Sequence, residues 1–214
     1  MVFKYGGWIL VWSLAFYFIY TNALRYFNPN FSIYTPAFRP FAPSIVAHVA
    51  GGMVALVIGP LQFFTFLRIK YPDFHRFIGK IYLTAILLSG IAAFHLVIFD
   101  KLLRNGEFLF GTGVLGMALA WFITGGMAFW SIKNKNILQH KEWMIRNYVL
   151  TSNFIIFRLI YYGLLGIENF PFKDDVRDFT AWAGWSIPLL LTEWILQAKK
   201  IKHKHTNNTV QAAL

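Results

Sequence analysis

At 214 residues, 57% hydrophobic, 19% aromatic and only 14% charged, with a mean hydropathy of +0.50, the chain carries more apolar surface than one soluble core can hide. The bilayer is the expected solvent, and the lack of cysteine excludes disulfides, thioether-linked haem, zinc fingers and thiol nucleophiles. The net charge of +11 does not indicate nucleic acid, because the basic residues cluster at the ends of apolar runs, as topology signals do.

Gly6 to Leu24 is an aromatic-rich apolar run long enough to cross the hydrocarbon as a helix. Its bulky residues and the absence of a small-x-small end favour an uncleaved anchor over a signal peptide. Arg25 to Ser44 holds Pro29, Pro36, Pro40 and Pro43 among aromatics, which predicts an ordered loop at the membrane interface rather than a helix. A second span is expected over Ile45 to Phe66 and a third over Phe77 to Ile98. In the turn between them Asp73 is placed to cap the following helix. Asp100 to Glu107 reads as a charged loop, and Leu109 to Ile132 as the fourth span. Trp143 to Gly166 reads as the fifth and, after an acidic loop, Phe179 to Gln197 as the sixth. The tail, 198–214, is basic, then polar, and is expected to fray.

The expected fold is an all-α, polytopic membrane bundle of about six spans, a single integral domain over 1–214 with its core at 44–166. Most of the twenty Lys and Arg fall at the N-terminus, the 2/3 and 4/5 turns and the tail, which places both termini in the cytoplasm. A repeat is also visible. Gly52-Met53, His75-Arg76, Tyr82 and Leu83-Thr84 recur as Gly116-Met117, His140-Lys141, Tyr148 and Leu150-Thr151. The second and third spans and the fourth and fifth then read as related hairpins in parallel orientation.

Span ends sort the histidines into two levels. His48 and His95 fall near the outer ends of the second and third spans, and His75 and His140 at the inner starts of the third and fifth. Along the second span His48, Gly52, Ala55, Gly59 and Gln62 share one face with polar ends and a small-residue middle. Such a face suits a neighbouring helix, for which the fourth span offers Gly113, Gly116, Ala120 and Thr124, or else a flat cofactor or ligand. The fifth span carries the stripe Asn147, Thr151, Arg158 and Tyr162. A mid-span arginine with no carboxylate at matching depth is a candidate for an exogenous anion, a carboxylate or a haem propionate.

Two chemistries follow. Imidazoles from facing helices, His48 with His95 and His75 with His140, can clamp b-type haem and form an electron path to a redox partner. They can instead hold copper or zinc, or relay protons. Alternatively, a cofactor-free cavity lined by Arg158, Gln62 and Tyr162 can serve a small-molecule or anion transporter or sensor. The polar groups also suit plain structural roles, interfacial hydrogen bonds for His48 and His95 and headgroup contact for His75 and His140. No enzymatic motif survives its context. Gly111-x-Gly113-x-x-Gly116 follows no strand, and Asn30-Phe31-Ser32 is a glycosylation sequon with meaning only in a eukaryotic secretory route.

His48-x-x-Gly51, then Gly59-Pro60-Leu61-Gln62-Phe63, His75-Arg76-x-x-Gly79-Lys80-x-Tyr82, Gly90, His140-Lys141-x-Trp143-Met144-x-Arg146-x-Tyr148 and Arg158 occur in this order. That pattern, over roughly Ser44 to Gly166, resembles the predicted bacterial membrane proteins catalogued as domain of unknown function 2306. The resemblance implies a polytopic bacterial inner-membrane protein of unsettled activity. The second span is also distantly similar to the core of dihaem cytochrome b and ferric reductase-like membrane proteins, although their full ligand spacing is not reproduced.

Overall fold

The computed structural model describes residues 2–168 and 170–212, with side chains within 7–202. Among them every regular element is helical. α1 (Val2–Phe18) continues through a π-helical turn, Ile19–Ala23, and a 3-10 turn, Leu24–Phe27. The widening coincides with Thr21-Asn22, where the Thr21 hydroxyl donates to the Tyr17 carbonyl (2.7 Å). The proline-rich linker then folds into successive turns closed by ring contacts such as Tyr26 with Phe31 (5.3 Å) and by the Tyr34 hydroxyl donating to the Tyr26 carbonyl. Burial, with Tyr26 beside it, raises the pKa of Tyr34, so the hydroxyl remains a neutral donor.

α2 (Ala42–Ile58) starts with Pro43 in its first turn, where no backbone donor is lost, and stops at Gly59-Pro60. The expected extension to Phe66 is therefore not one helix. A 3-10 turn, Gly59–Phe63, leads to a short α3 (Thr65–Lys70). α4 (Pro72–His95) begins earlier than expected, again with proline in the first turn, and Asp73 pairs with Arg76 (3.0 Å) instead of capping. It continues as a π-helical stretch, Leu96–Arg104, where a charged loop was expected. Buried Asp100 draws Lys101 (3.2 Å) and Arg104 onto this stretch and holds it in helical form.

α5 (Phe108–Lys133) matches its expected span closely. The fifth expected span is two helices, α6 (Ile137–Thr151) and α7 (Asn153–Leu165), bent by 42°. α6 starts earlier because the Asn136 side chain caps it by accepting from the Gln139 backbone N–H (3.1 Å). Neither proline nor glycine marks the bend. There Thr151 and Ser152 each return a hydroxyl to the carbonyl four residues back, Asn147 (3.0 Å) and Tyr148 (2.9 Å), which loosens the backbone ladder. α8 (Val176–Ala212) absorbs the sixth expected span, and the tail expected to fray continues it to Ala212; residues 213–214 lie outside the described residues.

Four segments, Gly7–Phe27, Arg39–Phe63, Pro72–Arg104 and Phe108–Lys133, are long and apolar enough to cross a bilayer, and the bent α6–α7 pair makes a fifth. The expected sixth, in α8, is not among them, since its tryptophans, Pro188 and Glu193 lower its hydropathy. α2 packs on α4, α5 on α4, α6 and α8, and α7 on α8, while α1 lies at the edge against α2 and α7. Large apolar side chains such as Ile9, Phe16, Leu88, Ile123 and Leu190 point outward, as they do where the surrounding medium is hydrocarbon.

Candidate functional site

The centre of the bundle is a closed polar cluster inside an apolar core. The Tyr82 hydroxyl donates to Asn147 Oδ1 (2.8 Å) and lies 2.9 Å from the Thr151 hydroxyl, which accepts from Trp121 Nε1 (2.9 Å). The Asn147 amide nitrogen donates to the Trp121 carbonyl and to the Thr124 hydroxyl, both at 2.9 Å. Tyr82, Trp121, Asn147 and Thr151 are essentially inaccessible, so water cannot replace these bonds. Tyr148 closes the cluster from α6 by donating to the Leu56 carbonyl (3.1 Å).

Above this cluster, on the side of the proline-rich linker, lies a cavity of about 370 Å³. That volume is within the range of small-molecule sites. Leu56 and Trp121 are at its deep end, Phe154 and Arg158 of α7 form one wall, and Phe18 and Asn22 at the end of α1 form another. Arg158 is half-buried. Its guanidinium sits near the rings of Phe157 (5.8 Å) and Tyr162 (6.0 Å), and among the described residues no carboxylate pairs with it. Asp100, on the α4 wall, is already held by Lys101 and Arg104.

His48 also lines the cavity, its ring 5.5 Å from that of Phe154. Its Nδ1 faces the Ser89 carbonyl (3.1 Å), and the Ser89 hydroxyl donates back to the His48 carbonyl (2.8 Å). A carbonyl only accepts, so in the neutral ring Nδ1 carries the proton and Nε2 is left with a free lone pair. The exchange requires α2 and α4 to touch. A Cβ on Gly51 would stand 2.7 Å from the Ala85 carbonyl oxygen, so glycine sets the approach.

The remaining candidates scatter. His95 is exposed, near the Ser44 hydroxyl (2.9 Å) and the rings of Phe41 and Phe99, and does not line the cavity. The pairings of Ser44 with His95 and of His48 with Ser89 put His48 one to two turns deeper, roughly 6–9 Å, so the two histidines do not share a level. Gln62 is buried at the opposite side of the bundle beside Gly79, and Tyr162 is mostly exposed. At that opposite side His140 Nδ1 donates to the Ala128 carbonyl (2.9 Å), while His75 is half-buried.

The small-residue face of α2 is filled by protein. Gly51 meets α4, a Cβ on Gly52 would stand 2.8 Å from Phe154, and Gly59 faces the rings of Tyr148 and Tyr82. Gly113 and Gly116, expected to face α2, instead receive Ala181, Trp182 and Trp185 of α8. Side chains thus pack against much of the strip, and His48 and His95, at different depths, do not form a facing pair. The sequence reading did not single out Trp121, Ser89, Asp100 or Phe154. A tryptophan at the depth of Thr151 and a serine at the depth of His48 were the available signals, and both depended on knowing which helices touch.

A helical bundle with several bilayer-length apolar segments and a mostly apolar cavity on one side is a polytopic membrane protein. A family model described as "Predicted membrane protein (DUF2306)" matches residues 45–196, and the chain belongs to that family. The match takes in α2 to the first part of α8, beyond the stretch recognised by motif, and leaves α1 and the linker outside it. Comparison with curated proteins and with solved structures finds no match.

Proposed function

We propose that the protein holds a small, largely apolar molecule bearing an anionic group in the linker-side cavity, as a carrier or a sensor. The observation that carries this reading is Arg158, a cation without a carboxylate partner among the described residues, on the wall of an otherwise mostly apolar cavity. The lone pair of His48 Nε2 offers the ligand a second polar contact. In the same reading α8 supplies the sixth span, both termini face the cytoplasm of a bacterial inner membrane, and the cavity opens toward the outer face. Tyr82 and Tyr148, paired by the hairpin repeat, meeting at Gly59 supports relating the two hairpins.

The test is binding of anilinonaphthalene sulfonate, an apolar anion, to the protein in nanodiscs. Arg158→Gln should weaken saturable binding about tenfold or more, the effect of one lost charge-assisted hydrogen bond. Unchanged affinity overturns the reading. A reduced-minus-oxidised Soret change in haem-supplied protein would move the assignment to the histidines, for which the Nδ1 of His140 fixed on the Ala128 carbonyl is the favouring observation. Orientation is checked with single cysteines placed in the linker and the tail of this cysteine-free chain. Labelling of the tail from outside by an impermeant maleimide would reverse it.

A further inference from the structure

Resting on the cavity reading, we propose that the occupant is a single-chain anionic lipid, a fatty-acid-like carboxylate, that reaches the cavity from the bilayer between α1 and α7.

The first support is shape. Along α5 the lining runs from Phe110 to Trp121, about 16 Å of helix axis. A cavity of about 370 Å³ extending over that length has room for one hydrocarbon chain. The long direction follows the helices, as a lipid chain in the surrounding bilayer does. Arg158 lies seven residues before the end of α7, about 10 Å below it, whereas Leu56, Gly52 and the Trp121 ring surround the deep end. A carboxylate at Arg158 therefore leaves its tail pointing to the middle of the membrane.

The second support is how the walls are packed. α7 buries none of its residues, and the α1 span buries only 17% of its most apolar window. These two lightly packed helices meet at the cavity, where the Phe18 and Phe154 rings lie 6.4 Å apart. Tyr17 and Tyr20 on α1 and its π-helical turn, and Leu159 and Tyr162 on α7, are exposed, so both helices present apolar surface to hydrocarbon. Rotation of two rings opens a path for a chain without unpairing any backbone group. The third support is charge. Asp100 on the far wall is neutralised by Lys101 and Arg104, so an incoming carboxylate meets Arg158 without an opposing free anion.

The experiment uses the full chain in nanodiscs and the quenching of tryptophan by ω-bromododecanoate. The part that depends on Trp121 is the difference between the native protein and Trp121→Phe, and displacement of anilinonaphthalene sulfonate gives the same binding curve if that variant does not fold. Saturable quenching is expected, weakened about tenfold or more by Arg158→Gln. The neutral ω-bromododecanol should bind the native protein no better than the carboxylate binds the variant. Short, water-soluble bromopropanesulfonate should not displace the dye. Displacement by this sulfonate as effective as by the carboxylate overturns the lipid assignment while leaving the cavity reading intact, and equal binding of the alcohol overturns the anionic head. Dye binding indifferent to Arg158→Gln removes the cavity reading itself. Access is read separately. Joining Phe18→Cys to Phe154→Cys with a thiol crosslinker should slow quenching about tenfold, and an unchanged rate overturns the route between α1 and α7.

Discussion

The two arginines of the bent α6–α7 segment sit in opposite surroundings. Arg146 is buried, donates from Nε and Nη2 to Glu193 (2.8 and 2.6 Å), lies 3.7 Å from Glu142 and stacks over Trp143 at 4.7 Å. Arg158, twelve residues later on the other side of the bend, has ring neighbours and a cavity but no carboxylate among the described residues. The same contrast separates the central cluster from the cavity. At mid-depth the Tyr82–Asn147–Thr151–Trp121 cluster and, toward the termini, Arg146 with Glu193 are spent on each other, whereas on the linker side a cation and an imidazole nitrogen face a cavity. Satisfied groups stabilise the fold and unsatisfied ones serve a ligand, so stability and binding should respond to different substitutions.

The largest effect is expected at Gly59. Its Cβ position is already occupied by the rings of Tyr148 and Tyr82, so Gly59→Leu must displace two core tyrosines and the hydrogen bond from Tyr148 to the Leu56 carbonyl. A loss of about 3 kcal/mol or more is expected in reversible unfolding by dodecyl sulfate. Next comes Asn147→Leu, which removes the acceptor of the Tyr82 hydroxyl and the donor to the Trp121 carbonyl and Thr124. It should cost about 2–3 kcal/mol in the same assay. Arg146→Gln should cost about 1–2 kcal/mol, because Glu193 is partly exposed and keeps Gln197 (2.6 Å) while Glu142 keeps Lys200 (2.7 Å). A stability loss at Arg146 smaller than that at Arg158 would break the comparison.

Hydropathy made the spans legible, since long apolar runs between basic turns leave few alternatives, and α5 was placed nearly to the residue. What escaped was set by side-chain hydrogen bonds, some local and some between helices distant in sequence. The bend after Thr151 has no proline or glycine to announce it, and Thr151, whose hydroxyl loosens the ladder there, also meets Tyr82 and Trp121 from other helices. The early start of α6 hid behind the polar run Gln139-His140-Lys141-Glu142, although Asn136 three residues before Gln139 was a readable cap. His48 and His95 illustrate a different failure. Depth was inferred from span ends that the structure moves, and Gln62, on the right face of the second span by periodicity, lies past the proline that ends α2. Arg158 was legible because a mid-span charge must be accounted for in any membrane fold.

The smallest effect on stability is expected for Arg158→Gln, within about 0.5 kcal/mol of the native protein. The reasoning is that a folded-state contact contributes only if it is made. The near approaches of this guanidinium are to the Phe157 and Tyr162 rings at the outer limit of cation–π distance, and the glutamine amide is cheaper to place in the same half-buried site than a charge. Stability in dodecyl sulfate measured alongside dye binding separates the two roles. Unchanged unfolding with binding weakened about tenfold is the signature of a group kept for a ligand. A stability loss comparable to that of Arg146→Gln would show that Arg158 is held by contacts within the fold, and the division between the two halves of the bundle would then fail at the residue on which it most depends.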